Sequence, residues 1–155
     1  MTSIATKTRT TAAAADSLFE QVGGREVLER VHRKFYDKVY AHPWLSRYFD
    51  GIDQTRIENQ QTDFMSFAMG GPAVYIGGMV PERHKHMMVT EELFEVRSEL
   101  LEQSLVEAGV AEDERAKWLK IDSAFKHAIV KKSRADCTPR YTGSAILDFL
   151  KPPGV

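Results

Sequence analysis

The segment Val80-Pro81-Glu82-Arg83-His84-Lys85-His86-Met87-Met88 gives the clearest indication of the architecture of this chain. Its proline suits the first turn of a helix, because that position needs no backbone N–H donor. On helical spacing His84 shares a stripe with apolar neighbours, whereas His86 is rotated away by roughly 200° at about 100° per residue. An inward imidazole has two open interpretations: a core histidine hydrogen-bonded to a carbonyl, or an axial ligand of a haem iron.

Two upstream helices direct further polar groups towards an interior. Residues 53–69 are predicted to form a helix that Asp53 caps and Gly70-Gly71-Pro72 ends. Gln61 lies on its apolar face, together with Ile57, Phe64, Phe67 and Ala68. In the earlier predicted helix, residues 25–41, Tyr36 lies at the edge of a core stripe formed by Leu28, Val31, Phe35 and Val39. Tyrosine and glutamine can both donate a hydrogen bond to a buried group.

Each of these polar groups, taken singly, is more simply interpreted as a core side chain with a partner. A cofactor-free helical bundle that binds another protein would also explain the amphipathic helices. It would not explain why Tyr36, Gln61 and His84 converge on one interior. The combination therefore favours a haem pocket.

The chain resembles a known family, the truncated or two-on-two haemoglobins, and in particular their group I. The resemblance extends from Ser17 to about Lys132. The matching stretches are Ser17-Leu18-Phe19-Glu20-Gln21-Val22-Gly23-Gly24, Lys34-Phe35-Tyr36-Asp37-Lys38-Val39, Leu45-Ser46-Arg47-Tyr48-Phe49, Gln60-Gln61-Thr62-Asp63-Phe64, Gly70-Gly71-Pro72, Tyr75 and Glu82-Arg83-His84-Lys85-His86. It implies an all-α fold, a truncated globin-like two-over-two helical sandwich around haem.

The resemblance also implies roles for individual residues around haem b (iron protoporphyrin IX). His84 would be the proximal iron ligand, and Tyr36 and Gln61 the distal hydrogen-bond donors to bound oxygen. Phe49 would pack on the porphyrin face. Further cofactor contacts are expected from Phe35, Arg56, Ile57, Gln60, Phe64, Tyr75 and Arg83, with the arginines and Tyr75 as candidates for the propionates.

Two positions bear on the sixth coordination site of the iron. Ile57 falls where many oxygen-binding globins place a distal histidine, so Tyr36 and Gln61 must hold the ligand instead. Gln60 falls where some cyanobacterial relatives have a histidine that closes on the iron. Because glutamine ligates iron poorly, we expect an open sixth position.

The expected function is reversible binding of dioxygen and of other diatomic ligands such as NO and CO. A nitric oxide dioxygenase activity is compatible with this site, and it would need an external reductase, because the chain has no flavin or nicotinamide motif. A haem-based gas or redox sensor is an alternative. Peroxidase chemistry is less favoured, since no distal histidine is available for acid–base catalysis.

Composition is typical of one globular domain, with 155 residues, 43% hydrophobic and 28% charged. The net charge of -1 gives no indication of nucleic-acid or acidic-membrane partners, and no apolar run is long enough to span a membrane. The single cysteine, Cys137, favours a reducing compartment and so a cytoplasmic location.

We expect a flexible N-terminal extension at residues 1–16, a globin domain at 17–133 and a C-terminal tail at 134–155 that docks either on the domain or on a partner. Further helices are predicted at 17–22, 43–49, 90–108 and 112–132. The glycine-rich segment 70–78 is expected to be a loop that carries the chain across the haem edge.

Overall fold

A computed structural model describes residues 17–155 of the chain, and the predicted N-terminal extension lies outside these residues. Within them the regular structure is helical, apart from two isolated β-bridges. The α-helices are α1 Leu18–Val22, α2 Arg25–Ala41, α3 Gln54–Ala68, α4 Val80–His84, α5 Glu91–Glu107, α6 Glu112–Ser123 and α7 Lys126–Ile129. Short 3₁₀ helices cover Leu45–Phe49 and Arg134–Asp136. No helix in this part of the chain is both long and apolar enough to cross a membrane.

The core lies where α2 packs against both α3 and α5, and α5 in turn packs against α6. This arrangement places one helix pair over another. The face of α2 turned inward is the predicted one, with Leu28, Val31, Phe35 and Val39 at most 2% exposed. Burial of such side chains is the main favourable contribution to the stability of the fold.

Local signals account for several helix ends. Ser17, Asp53 and Thr90 each accept a backbone N–H with their side chains at the start of α1, α3 and α5. Gly109 follows α5 with φ +81°, a left-handed conformation that favours glycine over other residues. The predicted bounds of these helices agree with the structure to within about one residue at each end.

The prediction of one helix over residues 112–132 is wrong. Helix α6 ends at Ser123, and α7 begins only at Lys126. At the break, Phe125 has φ -91° and ψ -3°, and its ring packs edge-on against Phe64 with centroids 5.1 Å apart. The helix is thus interrupted where Phe125 contacts a distant part of the chain. The apolar pattern is continuous through this point, so it did not predict the break.

The predicted core position of Phe67 is also wrong, because its side chain is 62% exposed. Helix α3 turns a neighbouring face towards α2, and the buried residues of that face are Thr62, Met65 and Ser66. The Thr62 hydroxyl lies 2.8 Å from Nδ1 of the buried His32. A small polar pair thus occupies the interhelical contact, and the bulkier Phe67 lies on the solvent side.

The glycine-rich segment after α3 is non-helical, as predicted. A Cβ at Gly71 would lie 2.6 Å from the Phe19 ring and 2.7 Å from the Ser66 hydroxyl. Glycine therefore allows the loop to pass directly over α1 and the end of α3. The C-terminal tail docks on the domain, which answers the question that the sequence left open. The indole N–H of Trp44, for instance, donates to the Phe149 carbonyl at 2.8 Å.

Candidate functional site

A cavity of about 450 Å³ lies between α2, α3 and α4. Its size falls in the range of about 300–1,000 Å³ that is usual for cofactor and ligand pockets. Every site residue predicted from the sequence lines this cavity: Phe35, Tyr36, Phe49, Arg56, Ile57, Gln60, Gln61, Phe64, Tyr75, Arg83 and His84.

His84 is the last residue of α4 and lies at the cavity wall. Its Nδ1 lies 2.8 Å from the Val80 carbonyl oxygen, which can only accept, so Nδ1 carries the proton. Burial lowers the pKa of His84 to about 4, although the bond to Val80 acts in the opposite direction. The imidazole is therefore neutral at pH 7, and Nε2 keeps a free lone pair. That is the form in which histidine ligates metals.

Tyr36 presents a hydroxyl to the cavity from α2. The residue is 5% exposed, and its ring packs edge-on against Phe35 and Phe49 at centroid distances of 4.9 and 6.0 Å. Within residues 17–155 its hydroxyl has no hydrogen-bond partner. Burial raises the pKa of Tyr36, so the hydroxyl stays protonated and remains a donor. The hydroxyl therefore faces the cavity as a donor that is available to a bound group.

Among the described residues, Gln61 likewise presents an unpartnered polar group to the cavity, from the facing helix α3. Its amide lines the cavity and has no hydrogen-bond partner in the part of the chain that the structure describes. Ile57, one turn earlier, contributes only an apolar surface. Within residues 17–155, Tyr36 and Gln61 thus bring unpartnered donors to the cavity from two facing helices.

Comparison with known proteins identifies the family. Residues 17–131 match the model of the family described as bacterial-like globin. Group 1 truncated hemoglobin LI410 of Chlamydomonas moewusii is 32% identical over 139 residues, which cover 86% of this chain and 81% of the relative. The chain belongs to the group I truncated haemoglobins.

Two further comparisons agree with this assignment. Group 1 truncated hemoglobin GlbN of Mycolicibacterium paratuberculosis is 34% identical over 94 residues, 61% of this chain and 69% of the relative. The crystal structure of truncated hemoglobin from Tetrahymena pyriformis in its Fe(III) form superposes with a TM-score of 0.70. It is 28% identical, and the match covers 76% of this chain and 100% of that one. The predicted two-over-two globin fold is therefore confirmed.

Haem is the cofactor of this globin, and the cavity fits it. Residues 17–155 contain no cluster of three or more His, Cys, Asp or Glu side chains that could hold a bare metal ion. One neutral imidazole in an aromatic pocket suits instead an iron whose other ligands come from a macrocycle. The aromatic wall continues from Phe49 to Phe64, whose ring packs edge-on against both Tyr75 and Phe125 at 5.2 and 5.1 Å.

The polar rim of the globin pocket is already partly paired. The Arg83 guanidinium donates to the Gln60 side-chain oxygen at 3.2 Å, and the Tyr75 hydroxyl donates to the Gly78 carbonyl at 2.9 Å. Arg56 lines the cavity. Contacts of Arg56, Tyr75 and Arg83 with haem propionates stay a prediction.

A buried ion pair in the wall of the pocket was not predicted from the sequence. Arg97 on α5 makes two hydrogen bonds to Asp122 on α6, at 2.7 and 2.9 Å, and both residues line the cavity. The guanidinium carbon lies 5.4 Å from the centroid of the Phe35 ring. One signal was present: each residue interrupts an apolar helical stripe, Arg97 four residues after Leu93 and Asp122 four after Trp118. The prediction that His86 is turned away from the interior is wrong. Helix α4 ends at His84, so helical spacing no longer applies at His86, which lines the cavity. Arg140 from the tail also lines it.

Proposed function

We propose that this globin binds dioxygen reversibly, along with other diatomic ligands such as NO and CO, at an open iron site of a haem that His84 would hold. The observation that supports this most strongly is the pair of unpartnered donors, Tyr36 and Gln61, in the same cavity as a neutral imidazole. Bound haem supplies the ferrous iron at which a diatomic ligand binds. The residues of the chain determine which ligand is held and how long it stays.

His84 would hold the iron through Nε2. Its Nδ1–H donates to the Val80 carbonyl, which fixes the tautomer and the orientation of the ring. A hydrogen bond of this kind also makes the ligating nitrogen more basic. Because burial lowers the pKa of His84 to about 4, protons do not compete for Nε2 at neutral pH.

Tyr36 and Gln61 would stabilise the ligand on the other side. Donors placed beforehand in a water-poor pocket would stabilise the negative charge that a bound dioxygen ligand acquires. The Tyr36 hydroxyl is suited to this because its raised pKa keeps the proton on the oxygen. A slowly released oxygen ligand is the expected consequence.

The sixth position would stay open because neither nearby candidate can close it. Ile57 has no donor atom. Gln60 ligates iron poorly, and its side-chain oxygen already accepts a hydrogen bond from Arg83. The ferrous protein without added ligand should therefore be five-coordinate.

Visible absorption spectra of the purified protein test this proposal. We expect a strong Soret band that shifts after dithionite and again after addition of air or carbon monoxide. A six-coordinate low-spin spectrum in the reduced protein would contradict the open site. Absence of a Soret band after reconstitution with hemin would contradict the role of the cavity altogether.

Nitric oxide detoxification stays a prediction. The conversion of NO and dioxygen to nitrate requires one electron per turnover, and a separate reductase would have to supply it. The same pocket would equally serve a gas sensor. The cytoplasmic location likewise stays a prediction.

A further inference from the structure

The helix that carries His84 is too short to be stable alone. Helix α4 has five residues, whereas isolated helices shorter than about 12–15 residues are marginal in water. Part of its support comes from the domain itself, since α7 packs against it and the Lys131 ammonium donates to the His84 carbonyl. The position of the imidazole therefore depends on what holds the residues around it.

The C-terminal tail holds the residues that follow His84. The Thr138 N–H donates to the Lys85 carbonyl at 2.8 Å, and the Leu147 N–H donates to the His86 carbonyl at 2.9 Å. In the reverse direction the Met88 N–H donates to the Leu147 carbonyl at 2.8 Å. Three backbone groups within four residues of His84 thus have partners in residues 138–151, which we call the proximal clamp.

The proximal clamp is itself anchored on the opposite side. The buried indole of Trp44 donates to the Phe149 carbonyl, and the Phe149 N–H donates to the Tyr48 hydroxyl at 3.1 Å. That hydroxyl also lies 3.3 Å from the Met88 carbonyl oxygen, to which it can donate. Beyond this junction, Lys151 pairs with Glu92 at 2.7 Å. The clamp therefore bridges the segment behind His84 and the 3₁₀ helix that contains Phe49.

We propose that the proximal clamp is a positioning element of the haem site, which sets the strength of the iron–His84 bond and the retention of haem. This inference rests on the proposed role of His84. The clamp lies beyond residues 17–131, the part of the chain that matches the globin family model. It would restrain His84 by fixing the backbone immediately after it.

The test uses the full-length haem-loaded protein with Leu147→Pro, which removes the N–H that bonds His86. Ala145→Pro is the matched control, because Ala145 is exposed and its N–H bonds nothing in the described part of the chain. The two readouts are the iron–histidine stretching band of the ferrous protein, by resonance Raman, and the rate of haem transfer to excess apomyoglobin. Leu147→Ala, which keeps the N–H, should retain the wild-type band.

We expect Leu147→Pro to shift or broaden the band and to speed haem loss by about 3- to 10-fold, the effect of one backbone hydrogen bond. Ala145→Pro should change neither readout. If Leu147→Pro fails to fold, Trp44→Phe keeps an aromatic ring but removes the donor to Phe149 together with part of the buried indole. It should change both readouts in the same direction. An unchanged band in the folded clamp variants would overturn the proposal, even if haem were lost faster, since the clamp would then act on stability alone.

His84→Ala distinguishes failure of the clamp from failure of the proposed function. Loss of haem and of the band in His84→Ala, with wild-type behaviour in the clamp variants, would overturn only the clamp. A His84→Ala protein that keeps its full Soret absorbance and the band would overturn the assignment of His84 and the clamp with it.

Discussion

The hydroxyl of Tyr36 is the single group on which ligand release should depend most. It is enclosed by the rings of Phe35 and Phe49, and no described residue accepts its hydrogen. A hydrogen bond from this hydroxyl to a bound ligand would therefore cost nothing elsewhere in the protein. Gln61 offers a second donor, but its side chain is half-buried rather than enclosed.

We expect Tyr36→Phe to speed dioxygen dissociation on the order of 10-fold or more, because about 1.5 kcal/mol of hydrogen bonding is lost. The measurement is stopped-flow displacement of oxygen by carbon monoxide. Tyr40→Phe is the matched control, since Tyr40 packs on the Tyr36 ring but its hydroxyl bonds the Ile52 carbonyl at 2.7 Å. An unchanged rate in Tyr36→Phe would remove Tyr36 from the mechanism.

The sequence predicted many of the residues that line the cavity, but it did not predict Arg97 and Asp122. Helical spacing and the family resemblance were enough for His84, Tyr36 and Gln61, because each lies on or beside an apolar stripe. The pairing of Arg97 with Asp122 was not predicted, because it joins two helices and a single sequence does not show which helices are in contact. Their roles, unlike their positions, still need experiments.

The contact between α5 and α6 contains the buried ion pair, in which Asp122 is 6% exposed. Two charges removed from water are expensive unless each fully satisfies the other. The two parallel hydrogen bonds at 2.7 and 2.9 Å provide that satisfaction. Removing one partner therefore leaves an uncompensated charge against the haem cavity.

We expect Asp122→Asn to lower the free energy of unfolding by about 3–5 kcal/mol, measured by urea denaturation. The double variant Arg97→Met, Asp122→Leu should recover most of the loss. Asp63→Asn serves as control, because Asp63 pairs with Arg25 at the surface, where a pair is worth about 0–1 kcal/mol. Equal losses in the free energy of unfolding for Asp122→Asn and Asp63→Asn would show that the buried pair stabilises the fold no more than a surface pair.

Helix positions were predicted well where local caps determine them and poorly where tertiary packing does. The helices capped by Asp53 and Thr90 were predicted to within one residue at each end, whereas the break after Ser123 was missed. The apolar pattern continues through that break. Periodicity within one segment cannot show that Phe125 packs against Phe64, which lies far away in the chain. Phe67 was misplaced for a related reason, since apolar character alone cannot say which side of a helix faces another.

Across the whole molecule, His32 joins three helices. From α2 it reaches Thr62 on α3 at 2.8 Å and packs edge-on against Trp118 on α6, with centroids 5.8 Å apart. Burial lowers the pKa of His32 to about 3, with Asp122 acting in the opposite direction. The folded protein thus keeps His32 neutral in a range where the unfolded chain protonates it.

The sign of the pH effect follows from that difference. Between the ordinary histidine pKa of about 6.5 and about 3, the unfolded chain binds the proton and the folded chain does not, so stability falls as pH falls. We expect the thermal midpoint of the wild type to drop across this window. His32→Gln, less stable at pH 7, should show a smaller drop in the same scan. Identical pH dependence in the two proteins would contradict the role of His32.

The fold of the whole molecule was predictable from the sequence, mainly through the family resemblance, but the placement of the tail was not. The proximal clamp is held by backbone groups of Lys85, His86 and Met88, and backbone bonds leave no mark on side-chain patterns. A sequence can show that Leu147 and Phe149 are apolar. It cannot show that they lie behind His84.

The bridge between Phe149 and the segment behind His84 also has a consequence for biosynthesis. The ribosome synthesises the chain from its N-terminus. Helices α1 to α7 therefore emerge before the proximal clamp, which holds the backbone after His84. A nascent chain stalled near residue 133 would contain the whole cavity wall except Arg140, yet would lack the partners of Lys85, His86 and Met88. Firm capture of haem should accordingly follow the emergence of Leu147 and Phe149 from the ribosome.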